Sequence, residues 1–325
     1  GIPLDGRAPS HPDLGLGEGQ NGKRWAFRLG PNYSGDGNGS VNDLAGHGTH
    51  VLGIVAAERN SIGVAGIASG CTFLIVKVIR ADYPGSSDAL HDGILYAVEN
   101  GAKIINISGG TNETEYQNVR DAVDTANSHG VLLVCAAGNN STYVAYPAAY
   151  AGSPWNRSNV VAVGATDRGD AITSYSGRGS AVTVVAPGGD QDDDHYMIFS
   201  TLPGSTYGWD YGASMAAPHV TGIAGLMLSV GPDLSPSQIG DILKATTDNR
   251  PATVPDNAFG YGRVNAGKAV DEVWFTYHSP NAPDLSAPAN SATVTTSPVL
   301  SWNPPPGATS YRVQVATDLS FPNVV

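Results

Sequence analysis

The sequence predicts an α/β fold, with a doubly wound and mostly parallel sheet carrying helices on both faces. Three observations predict it. Short, continuous apolar runs of strand length recur between about residues 70 and 228. Amphipathic stretches of helical period lie between them. Glycine follows the first two of those stretches, where a helix needs a residue free to turn left-handed. Continuous β-branched runs mark strands buried on both faces, whereas alternating runs mark strands with one wet face.

Taken in order, residues 73–79, 103–107, 131–135 and 160–163 read as buried strands. Residues 87–100 read as a helix with Leu90, Ile94, Leu95 and Val98 on one face and Gly101 as its stop. Residues 118–129 place Val119, Ala122, Val123 and Ala126 on one face before Gly130. Further helices are expected at 214–230, 235–247 and 265–273. Strand, helix and strand in repetition is the pattern of a doubly wound sheet.

The composition changes near Tyr277. Residues 276–290 hold Pro280, Pro283 and Pro288 and read as a linker between a domain at 1–275 and a β segment at 291–325. In that last stretch residues 299–302 and 310–315 read as strands, the second alternating Tyr311, Val313 and Val315 with polar neighbours. The segment resembles the opening of a fibronectin-III-like sandwich. Such a sandwich needs about seven strands, so an incomplete one is expected.

The bulk numbers exclude several classes. The chain has 325 residues, 41% of them hydrophobic, enough for one core and a small appendage. It carries 17 basic and 29 acidic residues, a net charge of −12. Nucleic acid needs a basic stripe, so no nucleic-acid partner is expected. No apolar run reaches the ~20 residues of a membrane span. The two cysteines, Cys71 and Cys135, make neither a disulfide framework nor a metal cluster and read as small buried hydrophobes. Residues 190–194 hold four acids in five and read as a solvated loop. A monomer is expected.

Three segments carry the chemistry: GHGTHVLGIVAA at 46–57, AAGN at 136–139 and GASMAAPHV at 212–220. Taken singly, a histidine or serine before a helix is often only a cap. Together, in this order and on an α/β background, they resemble the subtilisin-like serine proteases (subtilases, family S8). The resemblance covers about residues 1–273. The histidine-before-serine order agrees with the subtilisin order of Asp, His and Ser.

The resemblance implies a serine endopeptidase of broad specificity that works through an acyl-enzyme. Serine is a weak nucleophile until a base takes its proton. Ser214 is the implied nucleophile, at the positive end of a helix dipole. His47, at the mouth of another helix, is the implied general base. Asn139 ends a buried strand and is the implied oxyanion donor, together with the Ser214 N–H. Two positions depart from the family. Ala213 stands where Thr is usual, and Leu52 where Ala or Ser is usual. The first is expected to slow the reaction, and the second to change packing locally.

The orienting Asp of the triad is the third departure. Gly1-Ile2 and His11-Pro12-Asp13-Leu14 resemble the family's residues downstream of that Asp. On this register the Asp stands two residues before Gly1, and the chain is truncated at its N-terminus. The alternative is Asp5, which a proline inside a central strand opposes. In subtilisin, loss of that Asp alone costs roughly 3 × 10⁴ in turnover, so a chain lacking it is expected to be impaired.

Ser108, Gly109 and Gly110 resemble the strand that pairs with substrate, a mode that reads main chain and tolerates many sequences. Gly109 stands where a bulkier residue is usual, which predicts an open distal pocket. Ala136, Ala137, Gly138 and Ala145 are the implied walls of the primary pocket, and suit a large apolar side chain. Residues 60–64 (NSIGV) resemble the family's tight calcium loop. Asp13 and Asn60 are its implied side-chain ligands, and Glu58, Ile62 and Val64 its implied carbonyl ligands. Tyr146-Pro147 resembles a cis-proline turn of the family. A secreted or extracellular setting follows from the resemblance. The alternative is a catalytically silent subtilase fold that serves as a binding module, prompted by Ala213 and the missing Asp.

Overall fold

The computed structural model describes residues 11–14, 27–35, 43–79, 86–191, 196–249, 251–278, 285–287 and 299–303. The chain divides into two compact units, Gly1–Val273 and Trp274–Val325.

Four strands form the central parallel sheet of the first unit: β3 (Ile104–Ile107), β4 (Leu132–Ala136), β5 (Val160–Thr166) and β6 (Val184–Pro187), side by side in that order. Two earlier strands, β1 (Phe27–Asn32) and β2 (Phe73–Lys77), pair in parallel with each other. An antiparallel hairpin of β7 (Ile198–Leu202) and β8 (Thr206–Asp210) completes the strands of this unit. The helices are α1 (His47–Ala56), α2 (Ser87–Glu99), α3 (Gln117–Ser128), α4 (Ala213–Val230), α5 (Pro236–Ala245) and α6 (Ala266–His278).

The period of two along β4 and β5 explains the two covered faces. Leu132, Val134, Val161 and Val163 point into one core with Ala216, Ala217, Val220 and Ala224 of α4, Ile239 of α5 and Ala269 of α6. Leu133, Cys135, Val160 and Ala162 point into the other, with Ile94 of α2 and Val119, Ala122 and Val123 of α3. Every residue of β4 and β5 is buried, and all but Thr166 at the end of β5 are apolar or glycine. Fully burying one such Val or Leu contributes about 1.5–3 kcal/mol.

By length and composition α4 could cross a membrane, with a mean hydropathy of 1.3 over 18 residues. Its apolar residues face the sheet instead, and it is a core helix. Cys135 is buried and Cys71 half-buried, and both are free.

Several observed elements differ from expectation, and β1, β6, β7 and β8 were not expected at all. The strand expected at 73–79 ends at Lys77. The helix expected at 265–273 continues to His278, three residues into the expected linker. In the second unit that linker also contains a strand, β9 (Leu285–Ala287), paired antiparallel with β10 (Ser301–Trp302). The strand expected at 310–315 lies outside the described residues.

Candidate active site

Residues of the three motif segments pack together, Val51 and Ile54 of α1 against Met215 of α4, and Asn139 after β4 against the turn that opens α4. His47 is the first residue of α1 and is half-buried. The N-cap position is Gly46, at φ 88°, which has no side chain to offer. Asp43 takes over the capping from three residues upstream. Its Oδ1 accepts from the Gly46 N–H at 2.8 Å, and its Oδ2 from the Thr49 N–H at 2.7 Å and the Thr49 hydroxyl at 2.8 Å. A negative charge here also faces the positive end of the helix. Sequence reasoning missed Asp43; an acid a few residues before a helix start was the available signal.

Helix α1 is held against the β7–β8 hairpin by its own backbone. Ser200 Oγ donates to the His50 carbonyl and Thr201 Oγ1 to the Thr49 carbonyl, each at 2.8 Å. Gly53 permits this approach, since a Cβ there would strike both hydroxyls. His50 is fully buried between helix and hairpin. Its Nε2 lies 3.0 Å from the Ile198 carbonyl and 3.2 Å from the Gly208 carbonyl, so it must carry the proton there. Burial holds the His50 pKa below its ordinary value.

Ser214 is the second residue of α4, half-buried, in the first turn where N–H groups have no helical acceptor. The preceding Gly212 has φ 134°, and its N–H is tied to the Gly188 carbonyl at 2.8 Å. A Cβ on Gly212 would lie 2.8 Å from Asn139 Nδ2, so the approach requires glycine. The Ala213 N–H donates to Asn139 Oδ1 at 2.9 Å. That bond fixes which way the exposed carboxamide faces and leaves its Nδ2 to donate elsewhere. The Ala213 methyl is itself buried in the core beneath α4. Leu52 is half-buried on α1.

Ser108 follows β3 and is bonded to Ser214 in both directions. Its hydroxyl donates to the Ser214 carbonyl at 2.7 Å, and the Ser214 hydroxyl donates to the Ser108 carbonyl at 3.0 Å. Among the described residues no hydrogen bond joins the His47 ring to Ser214. Resting serine hydroxyls often reach their base only in the substrate complex.

The other substrate-binding candidates converge on the same place. Gly110 lies against the Tyr146 carbonyl, and Thr111 N–H bonds that carbonyl at 2.9 Å. Ala145 N–H bonds the Ala137 carbonyl at 2.9 Å, and a Cβ on Gly138 would lie 3.0 Å from the Ala145 methyl. Ala136, Ala137 and Ala145 are buried. A Cβ on Gly109 would lie 3.1 Å from Ile79 Cδ1. The space above Gly109 is therefore bounded by the half-exposed Ile79, which qualifies the expectation of an open distal pocket. The Tyr146–Pro147 peptide is cis.

The five candidate calcium ligands are also brought together. The Glu58 N–H bonds the Asp13 carbonyl at 2.7 Å. Asp13 Oδ1 accepts from Asn60 Nδ2 at 2.8 Å and Oδ2 from the Val64 N–H at 2.7 Å. Asn60 Oδ1 accepts from the Ile62 N–H at 2.8 Å. Asp13 is fully buried and pairs with no Lys or Arg among the described residues. The Tyr207 phenol beside it has a raised pKa, through burial first and the Asp13 charge second. The groups on the buried Asp13 carboxylate are the Asn60 amide nitrogen and the Val64 N–H, and the Asn60 oxygen is engaged by the Ile62 N–H, so a cation here requires the Asn60 amide to turn over.

Asp5, the alternative orienting acid, lies outside the described residues. Asp43 is the acid nearest His47 in sequence, and its two oxygens are occupied by the helix cap.

Comparison with known proteins bears on the family and the fold. A model of the subtilase family matches residues 5–262. Subtilisin BL and Subtilisin Savinase, both of Lederbergia lenta, are each 39% identical over 268 residues, covering 82% of this chain and 88% of the relative. Among solved structures, a protease of Pseudoalteromonas arctica PAMC 21717 is 35% identical with a TM-score of 0.62, over 70% of each chain. The protease domain of PatA, solved as a point mutant, is 29% identical with a TM-score of 0.65, over 81% of this chain and 90% of that one.

Proposed function

The chain belongs to the subtilase family of serine endopeptidases, and on that premise we propose that it cleaves polypeptides through an acyl-enzyme on Ser214. The Ser214 hydroxyl turns from the Ser108 carbonyl and attacks the scissile carbonyl while His47 takes its proton. Asn139 Nδ2 and the Ser214 N–H hold the oxyanion. His47 then gives its proton to the leaving amine. In the second half, water attacks the ester with His47 again as base, and Ser214 regains its proton. The observation that carries this reading is the Ala213 N–H on Asn139 Oδ1. It presents a fixed amide donor one residue from the nucleophile, and needs no reorganisation when charge develops.

Substrate lies along Ser108, Gly109 and Gly110 as an added strand. The methyl and bare-backbone walls at Ala136, Ala137, Gly138 and Ala145 favour a large apolar side chain before the scissile bond. The carboxylate that orients His47 is Asp5 or another acid N-terminal to His47; Asp5→Ala separates the two, since only in the first case does turnover collapse. The test of the function is hydrolysis of an unfolded protein by the wild type, with no cleavage by Ser214→Ala. A folded wild type that binds such a protein without cutting it would instead support a silent binding module.

Calcium is part of the same reading. Asp13 and Asn60 would hold it with side-chain oxygens, and Glu58, Ile62 and Val64 with carbonyls, after the Asn60 amide turns its oxygen inward. The ion would supply charge neutralisation for Asp13 and stability, not chemistry. Excess chelator is expected to lower the melting temperature, and calcium to restore it; an unchanged melting temperature counts against the site. An extracellular setting and a monomeric chain belong to the same reading.

A further inference from the structure

The geometry points to Asn106 and Thr221 as positioning residues for the nucleophile. This rests on the reading of Ser214 as that nucleophile. Asn106 and Ser108 are two residues apart at the end of β3, so they lie on one face of the strand. Ser214 and Thr221 are seven residues apart on α4, two turns down one face of the helix. Where these faces meet, a directed chain of hydrogen bonds runs toward Ser214. The Thr221 hydroxyl donates to Asn106 Oδ1 at 2.8 Å, with a longer contact to the Ala217 carbonyl at 3.2 Å. Asn106 Nδ2 donates to Ser108 Oγ at 2.9 Å. Ser108 Oγ donates to the Ser214 carbonyl at 2.7 Å.

Each link fixes the next. The Thr221 proton decides which end of the Asn106 amide faces Ser108. That amide, as donor, leaves the Ser108 hydroxyl free to spend its own proton on Ser214. Every donor points the same way, so each bond polarises its neighbour. The chain ties the substrate-pairing strand to the nucleophile turn from below, while the Ser214 hydroxyl closes the pair from above at the Ser108 carbonyl. Nucleophile and substrate strand are thereby held in one register, and small errors in that register cost rate. Asn106 parallels Asn139: each is a carboxamide whose oxygen is claimed by a donor on α4, leaving its nitrogen to act.

The test compares Thr221→Val, which removes the hydroxyl at nearly constant shape, with Thr221→Ser, which keeps it. Thr221→Val is expected to lower kcat about three- to tenfold with KM within about twofold, the effect of one ordinary hydrogen bond. Thr221→Ser is expected to restore most of the loss. In a Ser108→Ala background, where the chain is already cut, Thr221→Val is expected to add nothing. Equal kcat for the Val and Ser variants, or additive losses in the double variant, would overturn the assignment. A second readout needs no turnover: the side-chain amide resonances of Asn106 and the backbone amide of Met215 shift in Thr221→Val and not in Thr221→Ser. Absence of that shift overturns the chain of bonds. A wild type that hydrolyses nothing while showing the shift would refute the proposed function and leave the positioning chain standing.

Discussion

Asn139 shows how one side chain acquires a role from a backbone it does not belong to. Its oxygen is claimed by the Ala213 N–H at 2.9 Å, and only glycine at 212 lets the two segments come so close. Asn139→Ala is expected to lower kcat by about 10²–10³ with little change in KM, because the donor acts only once the oxyanion forms. That magnitude was established on a subtilisin and is not obtained from these distances. Steady-state kinetics on a peptide anilide checks it; a loss confined to KM would mean that Asn139 only binds. The placement of His47, Ser214 and Asn139 at or just beyond element ends was legible in the sequence, because each sits inside a motif. Asn106 and Thr221 were not, because their partners lie 115 residues apart along the chain, and neither residue type is unusual in a strand or a helix.

At the scale of elements, α1 depends on a cap that its own N-cap position cannot supply. Asp43 meets three donors at the start of the helix. Asp43→Ala is expected to destabilise the protein by about 1 kcal/mol, and to slow turnover by loosening the turn that carries His47. Urea unfolding followed with activity checks both; unchanged stability would show that the cap contributes nothing net. Strands β4 and β5 were legible because burial on both faces keeps their runs apolar up to Thr166 at the end of β5. Strands β7 and β8 were not. Their mixed residues, such as Ser200, Thr201 and Thr206, are chosen for bonds to α1 and to the turn rather than for an apolar face. Strand β1 escaped for a similar reason, since FRLGPN carries no periodicity.

For the whole molecule, two imidazoles, the buried His50 and the half-buried His219, set the response to acid. Burial lowers the pKa of both His50 and His219, the latter tied through Nδ1 to the Met215 carbonyl at 2.8 Å. The unfolded chain takes up these protons near pH 6.5, and the native state resists them. Between the two values the unfolded state binds more protons, so stability rises with pH there. Stability is therefore complete above about pH 6.5 and declines as the pH falls below it. Asp248, held below the ordinary carboxylate range by its bonds to Lys268 and Asn265, adds a loss of the same sign at lower pH. Melting temperatures at pH 8 and pH 5 check this; a higher value at pH 5 would contradict it. The sequence showed two covered sheet faces, but not the split between the pair β1–β2 and the four-stranded sheet, because pairing between strands leaves no trace in the periodicity of either.

Everything chemical here depends on one oxygen atom being far more reactive than a serine hydroxyl in water. Mass spectrometry after exposure to a fluorophosphonate reads this directly. A single adduct on Ser214, lost in His47→Ala and unaffected at the other serines, is the expected result. A folded chain whose Ser214 stays unmodified would contradict it.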